Sequence, residues 1–262
     1  MVFARPCVLA ATGLLASLAA ARNCTTTGVH MIVTRASTEL PGTGIIGAVA
    51  LQVQQQIPGS DIDATIYPAT LLEYVSSETQ GMAALTKLIT DYSTDCPDSK
   101  IVLMGYSQGA QVTADVVCGA SEQNFPTTSS LSANITNKIA AIVLMGDPTH
   151  TVNATFNRGN STKDGIFPRQ NIEGCSAVQS KMVAYCNDMD TFCDSGPNNA
   201  TGIGIHLQYV QTDGTDAANF VVAKVKASNS SSGSTSGAAT GPSPRVTAAS
   251  AAFLAAMLCL LR

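Results

Sequence analysis

Five residues constrain this chain more than any others: Gly105-Tyr106-Ser107-Gln108-Gly109. They stand between residues 101–104, a wholly apolar run of the kind found in strands buried on both faces, and residues 108–118, which read as a helix. A strand that turns straight into a helix leaves no room for side chains flanking the turn, so glycine is needed on both sides. The residue at the apex, Ser107, is thereby lifted into solvent at a helix N-terminus. The backbone N–H of Gln108 points at the same spot and can stabilise an oxyanion there.

The rest of the chain alternates short apolar runs with longer helical ones. Residues 29–34 read as a strand, 45–57 as an amphipathic helix, 63–67 as a second strand and 78–92 as a helix. Residues 139–145 form another buried strand, 181–185 a shorter one and 215–226 the last helix. Strands alternating with helices imply a three-layer α/β-hydrolase-like sandwich with a central, mostly parallel sheet. In such sheets the reactive loops gather at the carboxyl ends of the strands.

A serine hydroxyl needs a base, and the base needs an orienting acid. In this strand–turn–helix context the chain order is serine, acid, histidine. The chain has three histidines, His30, His150 and His206. His30 lies inside the first strand, before the serine, and reads as a packed strand residue. His150 follows Asp147 by three residues in one loop, too close for acid and base to keep their order of contacts at the serine. His206, in a late loop before the last helix, is the expected base. The acid is one of Asp147, Asp188, Asp190 and Asp194. If Cys186 and Cys193 bond, they close a small loop that holds a carboxylate in place, but spacing alone does not separate Asp188 from Asp190.

Both ends read as signals. Residues 1–21 carry Arg5, an apolar run and Ala19-Ala20-Ala21, the pattern of a secretory signal peptide. Residues 227–245 are rich in Ser, Gly, Ala, Thr and Pro and read as an unfolded linker. The apolar tail at 246–262 then completes a glycolipid (GPI) anchor signal, which is removed on anchoring. The domain between, 22–226, is mildly acidic and has no Lys/Arg-rich run, so nucleic acid is not an expected partner. It holds six cysteines, Cys24, Cys96, Cys118, Cys175, Cys186 and Cys193. An even number in an exported chain reads as disulfides, and no paired Cys-x-x-Cys knuckles suggest zinc. Six N-x-S/T sequons, beginning at Asn23, Asn134, Asn153, Asn160, Asn199 and Asn229, suit the same oxidising exterior.

The chain resembles the cutinase and acetylxylan esterase family over essentially the whole mature domain. The match is carried by Arg35-Ala36-Ser37-Thr38-Glu39, Tyr67-Pro68-Ala69, the Gly105–Gly109 turn, Met145-Gly146-Asp147-Pro148, and Cys186-x3-Asp190-x2-Cys193 followed by His206. The resemblance implies that Asp190 is the acid and that Ser37 and Gln108 supply the oxyanion hole. It also implies the pairings Cys24–Cys96, Cys118–Cys175 and Cys186–Cys193.

The implied activity is serine esterase chemistry on a plant cell-wall ester, by acyl transfer without metal or organic cofactor. Short acyl esters, acetylated xylan first, are the expected substrates, and cutin polyester is the alternative. The polar stretch 194–201 suits a carbohydrate surface, with only Ile203 and Ile205 offering an apolar lip. The protein is expected to be an extracellular monomer that meets membrane only through its anchor. A non-enzymatic surface protein on a hydrolase scaffold is the reading from another class. The intact Ser107, Asp190 and His206 argue against it.

Overall fold

A computed structural model describes residues 23–233, the last three by backbone alone. The segment expected to be a signal peptide, 1–21, and the expected anchor tail, 246–262, lie outside the described residues. In chain order the elements are β1 (Val29–Thr34), α1 (Gly47–Gln56), β2 (Asp61–Ala64), α2 (Tyr74–Asp95), β3 (Lys100–Tyr106), α3 (Gln108–Cys118), α4 (Ala133–Thr136), β4 (Ile139–Met145), β5 (Asn157–Arg158), β6 (Met182–Tyr185), α5 (Ala200–His206) and α6 (Tyr209–Gly233). The strands form one sheet in the order β2-β1-β3-β4-β6-β5. Every pairing is parallel.

The three layers follow from the two-residue period of a strand. Along β3, Ile101 and Leu103 point to one face, where Leu85 and Ile89 of α2 and Val112 and Val117 of α3 cover them. Val102 and Met104 point to the other, against Val49 and Val53 of α1 and Val221 and Val225 of α6. Since β3 and β4 are covered on both sides, β4 and residues 101–104 of β3 are apolar at every position. Truncating Leu103, fully buried at the centre, would leave a cavity of the kind that costs about 2–5 kcal/mol.

Three disulfides close the domain, Cys24–Cys96, Cys118–Cys175 and Cys186–Cys193. The first ties the N-terminal segment to the end of α2, and the last closes the loop after β6.

Several boundaries differ from the sequence expectation. The second strand ends at Ala64 rather than at residue 67. Tyr67 leaves the sheet because its hydroxyl donates to the Arg35 carbonyl, 2.7 Å away. His206 is the last residue of α5, not part of a loop. The last helix starts earlier and runs further than 215–226, so α6 extends past residue 226 into the stretch expected to be unfolded. Packing of Ala217, Val221 and Val225 on the sheet supplies the costly nucleus, and helix then propagates one bond per residue even through serine-rich sequence. Residues 234–245 lie outside the described residues. No helix among the described residues is long and apolar enough to cross a membrane.

Candidate active site

The turn after β3 places Ser107 at φ 53° and ψ −121°, a left-handed backbone that costs a residue with a side chain about 1–3 kcal/mol. Backbone hydrogen bonds hold it there. Ser107 N–H donates to the Met145 carbonyl at 2.8 Å, and its own carbonyl accepts from Ala110 and Gln111. A Cβ on Gly109 would stand 2.2 Å from the Thr34 carbonyl oxygen, and one on Gly105 would stand 2.3 Å from the Gly109 oxygen. The two glycines are therefore steric requirements of this crossing.

Gln108 opens α3, so its N–H has no intrahelical partner. Its side chain is fully buried. Ser77 donates to its Oε1 at 3.0 Å and its Nε2 donates to the Thr70 carbonyl at 3.2 Å. The loop after β1 brings Ser37 to the wall of the cavity that Ser107 also lines. Buried Arg35 donates to the Tyr67 carbonyl at 2.6 Å, and Glu39 accepts from the N–H groups of Ala36 and Ile45 at 2.6 and 2.8 Å. Thr38 N–H donates to Ala69 O at 2.7 Å. The motifs Arg35–Glu39 and Tyr67–Ala69 are thus two halves of one brace, which seats Ser37.

Asp190 and His206 meet at 2.9 Å between Oδ2 and Nδ1. Oδ1 of Asp190 also accepts from the N–H groups of Phe192 and Cys193 at 2.7 and 2.9 Å, and Oδ2 from the Tyr209 hydroxyl at 2.8 Å. Burial alone would raise this carboxyl, but the His206 contact and the two backbone donors outweigh it and hold it below the ordinary Asp range. The imidazole is buried, packed edge-on against Phe192 with 4.5 Å between ring centroids. Its Nε2 has no hydrogen-bond partner. Gly146, at φ 62°, lies so close that a Cβ there would sit 2.6 Å from His206 Cε1.

Ser37, Ser107 and His206 line one open cavity of about 500 Å³. Its walls are mainly apolar, with Leu71, Tyr74, Ile166, Phe167, Ile203 and Leu207. The cavity is thus more apolar than a lip of Ile203 and Ile205 alone would make it. Ile203 does line the cavity, but Ile205 faces a different pocket, with Asn187 and Asp188. Two residues of the polar stretch also hold local structure: Asn199 Oδ1 caps α5 by accepting from Thr201 and Gly202, and Asp194 is fully buried, accepting from Ser161, Lys163 and Met189.

The other candidate acids and histidines lie elsewhere. Asp188 is half-exposed beside Lys163. Asp147 accepts from the Thr149 N–H and hydroxyl, while His150 Nδ1 is 3.1 Å from the Lys163 carbonyl. His30 is buried in β1, stacked on Tyr92 with Nδ1 2.8 Å from Asp61. Sequence reasoning missed Tyr209. Its only signal was a tyrosine three residues after the histidine.

A second charged cluster lies beneath α3. Arg169 pairs with Asp115 and Glu122 at 2.5 and 3.1 Å, and Glu78 Oε1 and Asp115 Oδ2 are buried with no hydrogen-bond partner. Burial disfavours the charged forms of Glu78 and Asp115, and one guanidinium offsets this only in part. Burial pushes Glu78 up to about 7, with Glu122 adding repulsion while Asp115 and Arg169 oppose it, and burial raises Asp115 as well. A raised folded-state pKa contributes stability that is complete below the unfolded value of about 4.3 and lost as pH rises through 7. We expect the melting temperature to fall as pH rises from about 4.5 to 7.5 and to level off above that, reflecting a loss on the order of 3 kcal/mol. Glu78→Gln should flatten that slope in a calorimetric pH series; an unaltered slope would place the titrating group elsewhere.

Among the described residues no group of three or more His, Cys, Asp or Glu side chains is arranged to hold a metal ion. The chain is a serine esterase of the α/β-hydrolase type, a carboxylic ester hydrolase, with a strained turn at Ser107 and a buried acid–imidazole pair beside an apolar cavity. Residues 24–225 match the family model for cutinase, and the chain belongs to the cutinase family. It is similar to Acetylxylan esterase 2 of Talaromyces purpureogenus, 31% identical over 207 residues that cover 75% of this chain and 86% of the relative. It is also similar to Cutinase 11 of Verticillium dahliae, 30% identical, covering 85% of this chain and 77% of the relative. The solved catalytic core domain of acetyl xylan esterase from Trichoderma reesei gives a TM-score of 0.71 at 29% identity, covering 77% of this chain and 100% of that one.

Proposed function

We propose that Ser107 is the nucleophile, His206 its general base and Asp190 the orienting acid of a two-step acyl transfer. The observation that carries this is the Asp190–His206 pair, 2.9 Å apart, on the wall of the cavity that Ser107 also lines. His206 takes the Ser107 proton as the hydroxyl attacks the ester carbonyl. The oxyanion is received by the N–H of Gln108 and by Ser37, through its N–H and hydroxyl. His206 then protonates the leaving alcohol and activates the water that frees the acid. No cofactor takes part.

The substrates are short acyl esters, acetylated xylan first, a choice supported by the relatives and solved structures that carry acetylxylan esterase names. The second reading is cutin polyester, favoured by the apolar cavity and by the exposed Leu71, Leu72 and Leu207. An acetyl group fills little of about 500 Å³, and each buried methylene adds about 0.8 kcal/mol. The enzyme works outside the cell, where its disulfides persist. It acts as a monomer held by a glycolipid anchor and glycosylated at its exposed sequons.

The test is hydrolysis of p-nitrophenyl acetate, butyrate and palmitate beside acetylated xylan. Acetate release from xylan with steep loss beyond short chains is the expected result. Activity that persists on longer chains with xylan untouched would establish the cutin reading. Silence on all four would return the non-enzymatic surface protein.

A further inference from the structure

We infer that Tyr209 is a positioning residue of the reaction, acting through Asp190: it locks the carboxylate and limits how strongly that carboxylate holds a proton on His206. The inference rests on the Ser107–His206–Asp190 reading. Tyr209 is fully buried. Its hydroxyl accepts from the Asn187 N–H at 2.9 Å and donates to Asp190 Oδ2 at 2.8 Å. That is the oxygen facing His206 Nδ1, so two donors share one acceptor. Burial, then the Asp190 charge, hold the phenol far above its ordinary range, so the hydroxyl stays a donor at every working pH.

The groups around Tyr209 leave this contact unmatched. The Tyr106 hydroxyl is spent on the His206 carbonyl, Cys193 is in a disulfide, and the Phe192 and Cys193 N–H groups serve the other carboxylate oxygen. Tyr209 stands at the start of α6, which is packed on the sheet through Ala217, Val221 and Val225. The carboxylate is thus referenced to the longest rigid element of the domain as well as to its own loop. Each donor to a carboxylate lowers its proton affinity. Removing this one leaves Asp190 a stronger partner for the imidazolium and a less constrained one.

The test is Tyr209→Phe, which keeps the ring, assayed on p-nitrophenyl butyrate across pH. Tyr185→Phe is the control, since it removes a hydroxyl bonded to Asp216 in the same core layer. For Tyr209→Phe we expect kcat to fall about tenfold with KM nearly constant, and the acid limb of kcat/KM to move up by roughly half a pH unit. Tyr185→Phe should leave that limb in place. Fluorotyrosine at 209, a stronger donor of nearly the same shape, should move it down, and this holds even if the Phe variant folds poorly. Lower thermal stability with an unmoved limb and parental kcat would reduce Tyr209 to a packing residue and overturn the inference. Full activity in Asp190→Asn would instead overturn the reading on which it rests.

Discussion

Ser107→Ala should lower kcat for ester hydrolysis by about 10⁶-fold, the loss expected when the nucleophile of a triad is removed. The residual rate, about 10³–10⁴ above water, would come from the oxyanion donors and binding. KM should change little, because the cavity's apolar walls, Leu71, Tyr74, Ile166, Phe167, Ile203 and Leu207, are untouched. The fold should survive, since the turn is held by the Ser107 backbone, through Met145, Ala110 and Gln111. Alanine pays the same left-handed strain as serine, so no large change in melting temperature is expected. A serine-directed fluorophosphonate should label the parent and leave Ser107→Ala unlabelled. Labelling of both would move the nucleophile to another residue.

Asp190→Asn should cost about 10⁴ in kcat, through the tautomer rather than the geometry. The substituted side chain can keep its oxygen on the N–H groups of Phe192 and Cys193, which now hold Oδ1. That turns its NH₂ toward His206 and the Tyr209 hydroxyl, where the parent presents Oδ2. Facing a donor, Nδ1 must become an acceptor, and the imidazole proton moves to Nε2. A protonated Nε2 cannot take the serine proton. Titration of kcat against pH, with circular dichroism to confirm folding, separates this from unfolding. A loss smaller than about tenfold would show that the base does not depend on this acid.

The two substitutions differ in how visible their targets were beforehand. Ser107 is marked by local sterics, because two glycines must flank a strand that turns at once into a helix. Asp190 is not marked that way. Spacing leaves it level with Asp188, and the family resemblance separates them. In space they differ sharply: Asp190 is buried against His206, whereas Asp188 is half-exposed beside Lys163.

Local pattern, read along the chain, determined the layered α/β architecture and the strand–turn–helix crossing that presents Ser107. Strand period and turn sterics act over a few residues and leave their mark there. Resemblance added the cysteine partners. Tertiary structure alone decided the apolar cavity, because its walls come from separate loops that converge where parallel strands end: Leu71 and Tyr74, Ile166 and Phe167, Ile203 and Leu207. It alone decided the raised carboxyls of Glu78 and Asp115, since burial lifts them against the opposing charge of a distant Arg169. The seating of Asp190 on Tyr209 belongs here too, since a hydrogen bond between the β6 loop and α6 depends on how both pack against the sheet, which no local period encodes.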